Sequence, residues 1–111
     1  MSRSHDELAC EVRAYLDART DSRVTLAQLQ QTFHVSGTLI KAAYRDRFGA
    51  SLYADTRARK MHVAARMLRE TKLPVQEIAA LCGYENAGKF TAAFRAVHGV
   101  TPRAYRAARR D

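Results

Sequence analysis

The chain has 111 residues, with 19 Lys and Arg against 11 Asp and Glu, a formal charge of +8 and an isoelectric point near 10.1. This length holds one ordinary domain or two very small ones, and a hydrophobic share of 47% excludes wholesale disorder. Twenty Ala beside 2 Pro, 5 Gly and no Trp favour helices, and no apolar run nears the ~20 residues that cross a bilayer.

Met1-Ser2-Arg3-Ser4 leads into acidic residues rather than an apolar signal core, so a soluble, cytoplasmic protein is expected. Ser4-x-x-Glu7 has the pattern of a capping box, and Leu8, Val12, Tyr15 and Leu16 follow on one helical stripe. The polar stretch Thr20-Asp21-Ser22-Arg23 is expected to end that helix. Thr25-x-x-Gln28 repeats the box and opens a short helix with Leu26, Leu29 and Phe33 inward. Ser36 caps a third helix, whose buried face is Ile40, Ala43, Tyr44 and Phe48, closed by Gly49.

A long helix then spans about Ser51 to Thr71, with Leu52, Thr56, Met61, Ala64, Met67 and Leu68 as contacts. At ~1.5 Å per residue its length is on the order of 30 Å. Pro74 is expected at the first position of the next helix, where its missing N–H costs nothing, with Val75, Ile78, Ala79 and Cys82 as the inner stripe. Gly83 breaks that helix, Asn86 caps another, and Phe90, Ala93, Phe94 and Val97 face the core until Gly99. Thr101-Pro102 is a cap followed by proline, starting a final basic helix through Arg109. No strand pattern competes, so an all-α fold of seven helices is predicted.

Cys10 and Cys82 stand alone, and His5, His34, His62 and His98 are scattered without H-E-x-x-H or C-x-x-C spacing. Idle thiols in a reducing compartment, no metal and no cofactor are the expectation. Nor is there a phosphate loop, a catalytic carboxylate pair or a nucleophile–base set, so no enzyme is expected. The positive charge is uneven: residues 1–24 carry net −1, 25–50 net +2, 51–73 net +4, 74–100 none and 101–111 net +3. Such a run is usually a solvated face, and it points to an anionic partner only when geometry agrees.

An internal repeat supplies that geometry. Leu26, Leu29, Phe33, His34 and Val35 match Val75, Ile78, Cys82, Gly83 and Tyr84 at an offset of 49. Ser36, Ile40, Tyr44, Arg45, Gly49 and Ser51 match Asn86, Phe90, Phe94, Arg95, Gly99 and Thr101 at an offset of 50, with Glu85 as the extra residue in the turn. Each half is a short helix, a tight turn and a longer helix, the helix-turn-helix plan whose second helix enters the DNA major groove. The chain therefore divides into a first helix-turn-helix subdomain with its preceding helix (1–50), a linker helix (51–73) and a second subdomain with a C-terminal helix (74–111). The recognition helices are 36–48 and 86–98. Their exposed stripes are Thr38, Lys41, Ala42 and Arg45, and Gly88, Thr91, Ala92 and Arg95; neither contains an acid that phosphate would repel. Two such helices on one face of B-DNA lie roughly 34 Å apart, a spacing the linker rod can hold within one chain. Arg57, Arg59, Lys60, Arg66 and Arg69 cannot all point one way from that rod, so only some can face phosphates.

The second half, Ile78-Ala79-x-x-Cys82-Gly83-Tyr84-x-Asn86-x-x-x-Phe90-x-x-x-Phe94-Arg95-x-x-x-Gly99-x-Thr101-Pro102-x-x-Tyr105-Arg106, resembles the signature of the AraC/XylS family of bacterial transcription regulators. Lys60-Met61-x-x-Ala64-x-x-Met67-Leu68 is similar to the family's linker pattern, and the resemblance extends over nearly the whole chain. It implies a monomeric unit that binds double-stranded DNA through two helix-turn-helix subdomains. It also implies a role in activating, sometimes repressing, transcription, often through contacts with RNA polymerase. Gln30 and His34 depart from the family, which usually has Ala and Gly there, so either the first turn packs less tightly or His34 adopts the left-handed conformation at a small cost. Ala87, Gly88 and Ala92 stand where the family commonly places larger polar groups.

An asymmetric reader is therefore expected. Lys41 is placed at guanine O6/N7, with Thr38 and Ala42 beside it and Arg45 reaching a base or the backbone. The second unit mainly clamps phosphates through Asn86, Lys89 and Arg95, with Thr91 at a base or phosphate, and Ser36 is a phosphate contact of the first unit. Arg103, Arg106, Arg109 and Arg110 read as a soluble basic tail, and His62 as an exposed histidine. The competing reading is a basic helical module for protein interaction or membrane surfaces, which predicts no preference among DNA sequences.

Overall fold

Helices begin in this chain where a side-chain oxygen takes up a free backbone N–H. The computed structural model describes residues 4–19 and 24–109, and among these are seven helices and no strand. Ser4 caps α1 (His5–Asp17) by accepting from the N–H of Glu7 at 3.1 Å, one bond of the box expected there. Thr25 and Gln28 form the complete box before α2 (Leu26–Phe33), and Ser36 caps α3 (Gly37–Phe48). Ser51 does the same for α4 (Leu52–Glu70), 3.1 Å from the N–H of Ala54. Pro74 is the N-cap of α5 (Val75–Leu81) rather than its first residue, and supplies no side-chain cap. Asn86 caps α6 (Ala87–His98) and Thr101 caps α7 (Pro102–Ala108), where Pro102 does take the first position. The stop expected at Thr20-Asp21-Ser22-Arg23 lies outside the described residues, as do Met1-Ser2-Arg3 and Arg110. No described helix is long and apolar enough to cross a membrane.

Residues 4–19 and 24–56 form one compact unit and 57–109 the other, so the division falls within α4. In the first unit α1, α2 and α3 close around Leu8, Ala9, Val12, Leu29, Ile40, Ala43 and Tyr44, with Phe33 and Phe48 half-buried at the rim. Gly37 permits a close approach here: a Cβ on it would lie 2.8 Å from Cδ2 of Leu26. In the second unit Met61, Ala64, Ala65 and Leu68 of α4 pack with Ile78, Ala79, Cys82, Phe90, Ala93 and Phe94. Burial pushes the Cys82 thiol up from its ordinary pKa, while Cys10 is exposed.

The repeat is written in these cores. Leu29, Ile40, Ala43 and Tyr44 are buried in one unit and Ile78, Phe90, Ala93 and Phe94 in the other. The tight turn needs a positive φ, and His34 supplies it (φ 56°, ψ 42°) where Gly83 does so at φ 83°. The repeat also reaches beyond the helix pairs. Leu8, Ala9 and Val12 of α1 have the same i, i+1, i+4 spacing as Ala64, Ala65 and Leu68 of α4, and Arg13 and Arg69 follow directly.

Polar ties then fix each unit. In the first, Arg13 Nη2 donates to Asp55 Oδ2 at 3.0 Å, the Tyr44 hydroxyl donates to the same oxygen, and the Arg13 guanidinium lies 3.7 Å over the Phe48 ring. Burial, reinforced by the bond to Asp55, pushes the Tyr44 phenol up to about 12, so it stays a neutral donor. In the second, Arg69 Nη1 donates to the Tyr105 hydroxyl at 2.7 Å. His98 Nε2–H donates to the Met61 carbonyl at 3.0 Å, and its ring packs on Phe94 and Tyr105. His62 is exposed, edge-on to His98 at 5.4 Å. Arg106 is no tail residue: its guanidinium donates to the carbonyls of Leu68 (3.2 Å) and Thr71 (3.3 Å). That places a cation on the free carbonyls at the end of α4, where the helix dipole favours it.

Candidate nucleic-acid interface

With Ile40, Ala43 and Tyr44 turned into the core, the 3.6-residue turn sends Thr38, Lys41, Ala42 and Arg45 to the opposite side of α3, and all four are exposed. Ser36 Oγ accepts from the Leu39 N–H at 3.1 Å, which leaves its O–H to donate outward at the helix's electropositive end. The exposed surface of α3 is wider than that stripe. Asp46 belongs to it, one turn beyond Ala42, and lies 3.5 Å from His5 Nδ1, so the helix carries one acid at the margin of its basic face.

In α6 the cap is an amide. Asn86 Oδ1 accepts from the N–H groups of Gly88 (2.7 Å) and Lys89 (3.2 Å), and its NH₂ keeps two donors for an anion. A Cβ on Gly88 would sit 2.9 Å from that Oδ1, so a larger side chain there would press on the cap. Gly88, Lys89, Ala92 and Arg95 are exposed. Thr91 is half-buried, although Lys41 at the matching position of α3 is exposed. Thr38 and Lys41 of the α3 stripe are thus replaced in α6 by the shorter Gly88 and Thr91, while Ala92 and Arg95 repeat Ala42 and Arg45, and Lys89 lies beside them.

On α4, Arg57, Arg59 and Lys60 are half-buried, Arg66 is 3.6 Å from Glu70 with both exposed, and Arg69 is tied to Tyr105. Among the described residues no three His, Cys, Asp or Glu gather as a metal site. Helical stripes do not reveal the side-chain ties within each unit: Arg13 with Asp55 under α3, and in the other unit Arg69 with Tyr105 and Arg106 with the end of α4. One signal was present for the first pair, since Asp55 is the lone acid in the first turn of a strongly basic helix.

The sequence pattern of the helix-turn-helix domain family matches residues 29–108. The chain is 32% identical over 73 residues to the transcriptional activator RhaR of Pectobacterium carotovorum, covering 66% of this chain and 26% of that protein. The C-terminal domain of AraT, a response regulator from Geobacillus stearothermophilus, has the same fold, with a TM-score of 0.87 at 26% identity over 98% of this chain and 91% of that one. So does the DNA-binding domain of AdpA, in complex with a target DNA, with a TM-score of 0.84 at 24% identity over 90% of each chain. The chain spans 12–37% of the length of the curated relatives it matches here. With both capped recognition helices inside the matched span, the chain belongs to the AraC/XylS family of transcription regulators, as a helix-turn-helix DNA-binding domain.

Proposed function

We propose that this chain reads double-stranded DNA sequence for a transcription regulator, placing α3 and α6 in successive major grooves. The reading units are residues 1–50 and 74–111, carried on the helix 51–73, and the DNA-binding unit acts as a monomer. The observation that carries the proposal is the face of α3: Thr38, Lys41, Ala42 and Arg45 stand together in solvent on a helix whose other side is buried. Lys41 donates to guanine O6/N7, Thr38 and Ala42 contact neighbouring base edges, and Arg45 reaches a base or the backbone. Ser36, Asn86, Lys89 and Arg95 hold phosphates, and Thr91 touches a base near the edge of the second groove. The work is binding, not catalysis, and needs no cofactor. The name of RhaR as a transcriptional activator supports a regulatory role, and we extend that role to contacts with RNA polymerase in the cytoplasm.

Binding-site selection with the purified chain at physiological salt tests this. The expected outcome is a preferred site whose information is concentrated in the half read by α3. A pool that never converges would overturn the reading in favour of a merely basic module, and equal information in both halves would overturn the asymmetry. Arg95 should show the complementary behaviour. Arg95→Ala is expected to weaken all sequences alike and reduce the slope of log K against log salt by about 1, as measured by titration at several salt concentrations.

A further inference from the structure

We propose that Arg13, Asp55 and Tyr44 are positioning residues for the first recognition helix, and that they set the placement from which Lys41 reads its base pair. This rests on the DNA-reading role given above and adds to it residues on the far side of the helix from the DNA.

The geometry is specific. Tyr44 is fully buried on the inner face of α3, and its hydroxyl is held by Asp55 Oδ2 from the first turn of α4. Arg13 comes from α1 to the same oxygen at 3.0 Å and covers the ring of Phe48, the last residue of α3, at 3.7 Å. Phe48 in turn lies 4.8 Å from the Tyr44 ring. The last turns of α3 are therefore gripped by one carboxylate and one guanidinium from two neighbouring helices.

The second unit makes the same contact with different chemistry. Phe94 occupies the place of Tyr44, and Tyr105 stands eleven residues on, as Asp55 does from Tyr44. Arg69, which follows its buried trio as Arg13 follows its own, donates to the Tyr105 hydroxyl at 2.7 Å, and the Phe94 and Tyr105 rings are 5.5 Å apart. The second unit thus closes the matching place with a ring contact and no carboxylate. What a charge-assisted hydrogen bond adds over a ring contact is direction, since it fixes both rotation and axial height where a ring contact tolerates sliding. Base-edge readout needs its side chains held within about 0.5 Å, whereas phosphate contacts are more forgiving. The directional lock lies under the helix that bears Thr38 and Lys41. The ring contact lies under the helix that bears Gly88 and Thr91 at the matching places.

The test exchanges the two chemistries. Tyr44→Phe, Asp55→Asn and the double variant Tyr44→Phe with Asp55→Tyr are compared with the parent on the selected site and on its single-base-pair variants. Binding is measured at a temperature where circular dichroism shows each protein fully folded. Each single variant is expected to lose about tenfold in discrimination at the base pairs read by α3, equivalent to 1.4 kcal/mol. Preferences in the other half-site and the salt slope should be unchanged. The double variant, which rebuilds the Phe–Tyr–Arg arrangement of the second unit with Arg13 in the role of Arg69, should fold like the parent yet discriminate as poorly as the single variants, and parent-like discrimination in it overturns the proposal. Single variants that discriminate like the parent overturn the proposal, and so does weakening spread evenly over both half-sites. If a single variant does not fold, the double variant decides: folded with discrimination lost only at the base pairs read by α3 supports the proposal, while unfolded, or folded and discriminating like the parent, overturns it. A parent chain with no sequence preference sinks the DNA-reading role and this proposal with it; a selective parent with equally selective variants sinks this proposal alone.

Discussion

Phe90→Ala is expected to unfold the second unit first, at a cost of about 3–5 kcal/mol. Phe90 is 0% exposed, with the rings of Tyr84 and Phe94 at 5.7 and 6.0 Å, so truncation leaves a cavity that small neighbours such as Ala64 and Ala93 cannot fill. A whole domain is stable by only about 5–15 kcal/mol, and this unit is about half of a short chain. The loss should stay local because each unit has its own closed set of buried residues. Hydrogen exchange read residue by residue should show α5 and α6 losing protection while α1 and α3 keep theirs. Ile40→Ala, at the matching place in the first unit, should reverse the pattern at about 2–5 kcal/mol. Equal loss of protection in both units for either variant would mean that the two cores do not fold as separate units.

What could be read in advance follows from what is local. Ser36, Asn86 and Thr101 each cap a helix through bonds spanning two or three residues, so their positions in the chain announce the helix starts. The buried stripes are equally local, because Ile40, Ala43 and Tyr44 recur with the period of the helix itself. An outward face is the complement of an inward one, which is why Thr38, Lys41, Ala42 and Arg45 could be named together. Asp46, four residues beyond Ala42, belongs to the same periodic face, whereas its pair with His5 across 41 residues leaves no periodic trace. The same is true of Arg13 with Asp55, 42 residues apart, and Arg69 with Tyr105, 36 apart. In sequence these arginines are surface charges on amphipathic helices. Only the packing of each unit brings Arg13 to Asp55 and Arg69 to the Tyr105 hydroxyl. Pro74 shows a smaller version of the limit, since proline suits both the N-cap and the first helical position, and the chain entering α5 selects the former.

Lys41→Ala is expected to remove about 1–3 kcal/mol of discrimination at one base pair while leaving the protein's stability close to unchanged. Lys41 is exposed on the face of α3 opposite Ile40 and Tyr44, so its loss opens no cavity and unpairs no buried group. Its neighbours on that face cannot substitute for it: Ala42 has no donor, and Thr38 is too short to reach as far. Arg45 has the length, but it is a full turn farther along the helix and would meet a different base pair. The effect should therefore be confined to one position of the selected site, where the variant accepts other pairs almost as well as the preferred one. That separates Lys41 from Arg95, whose removal should lower affinity for every sequence and change the salt slope. A competition titration of the parent and variant against the preferred site and its three single-pair alternatives measures the difference directly. If Lys41→Ala weakens all four equally, Lys41 is a phosphate contact, and the reading of sequence must move to Thr38 and Arg45.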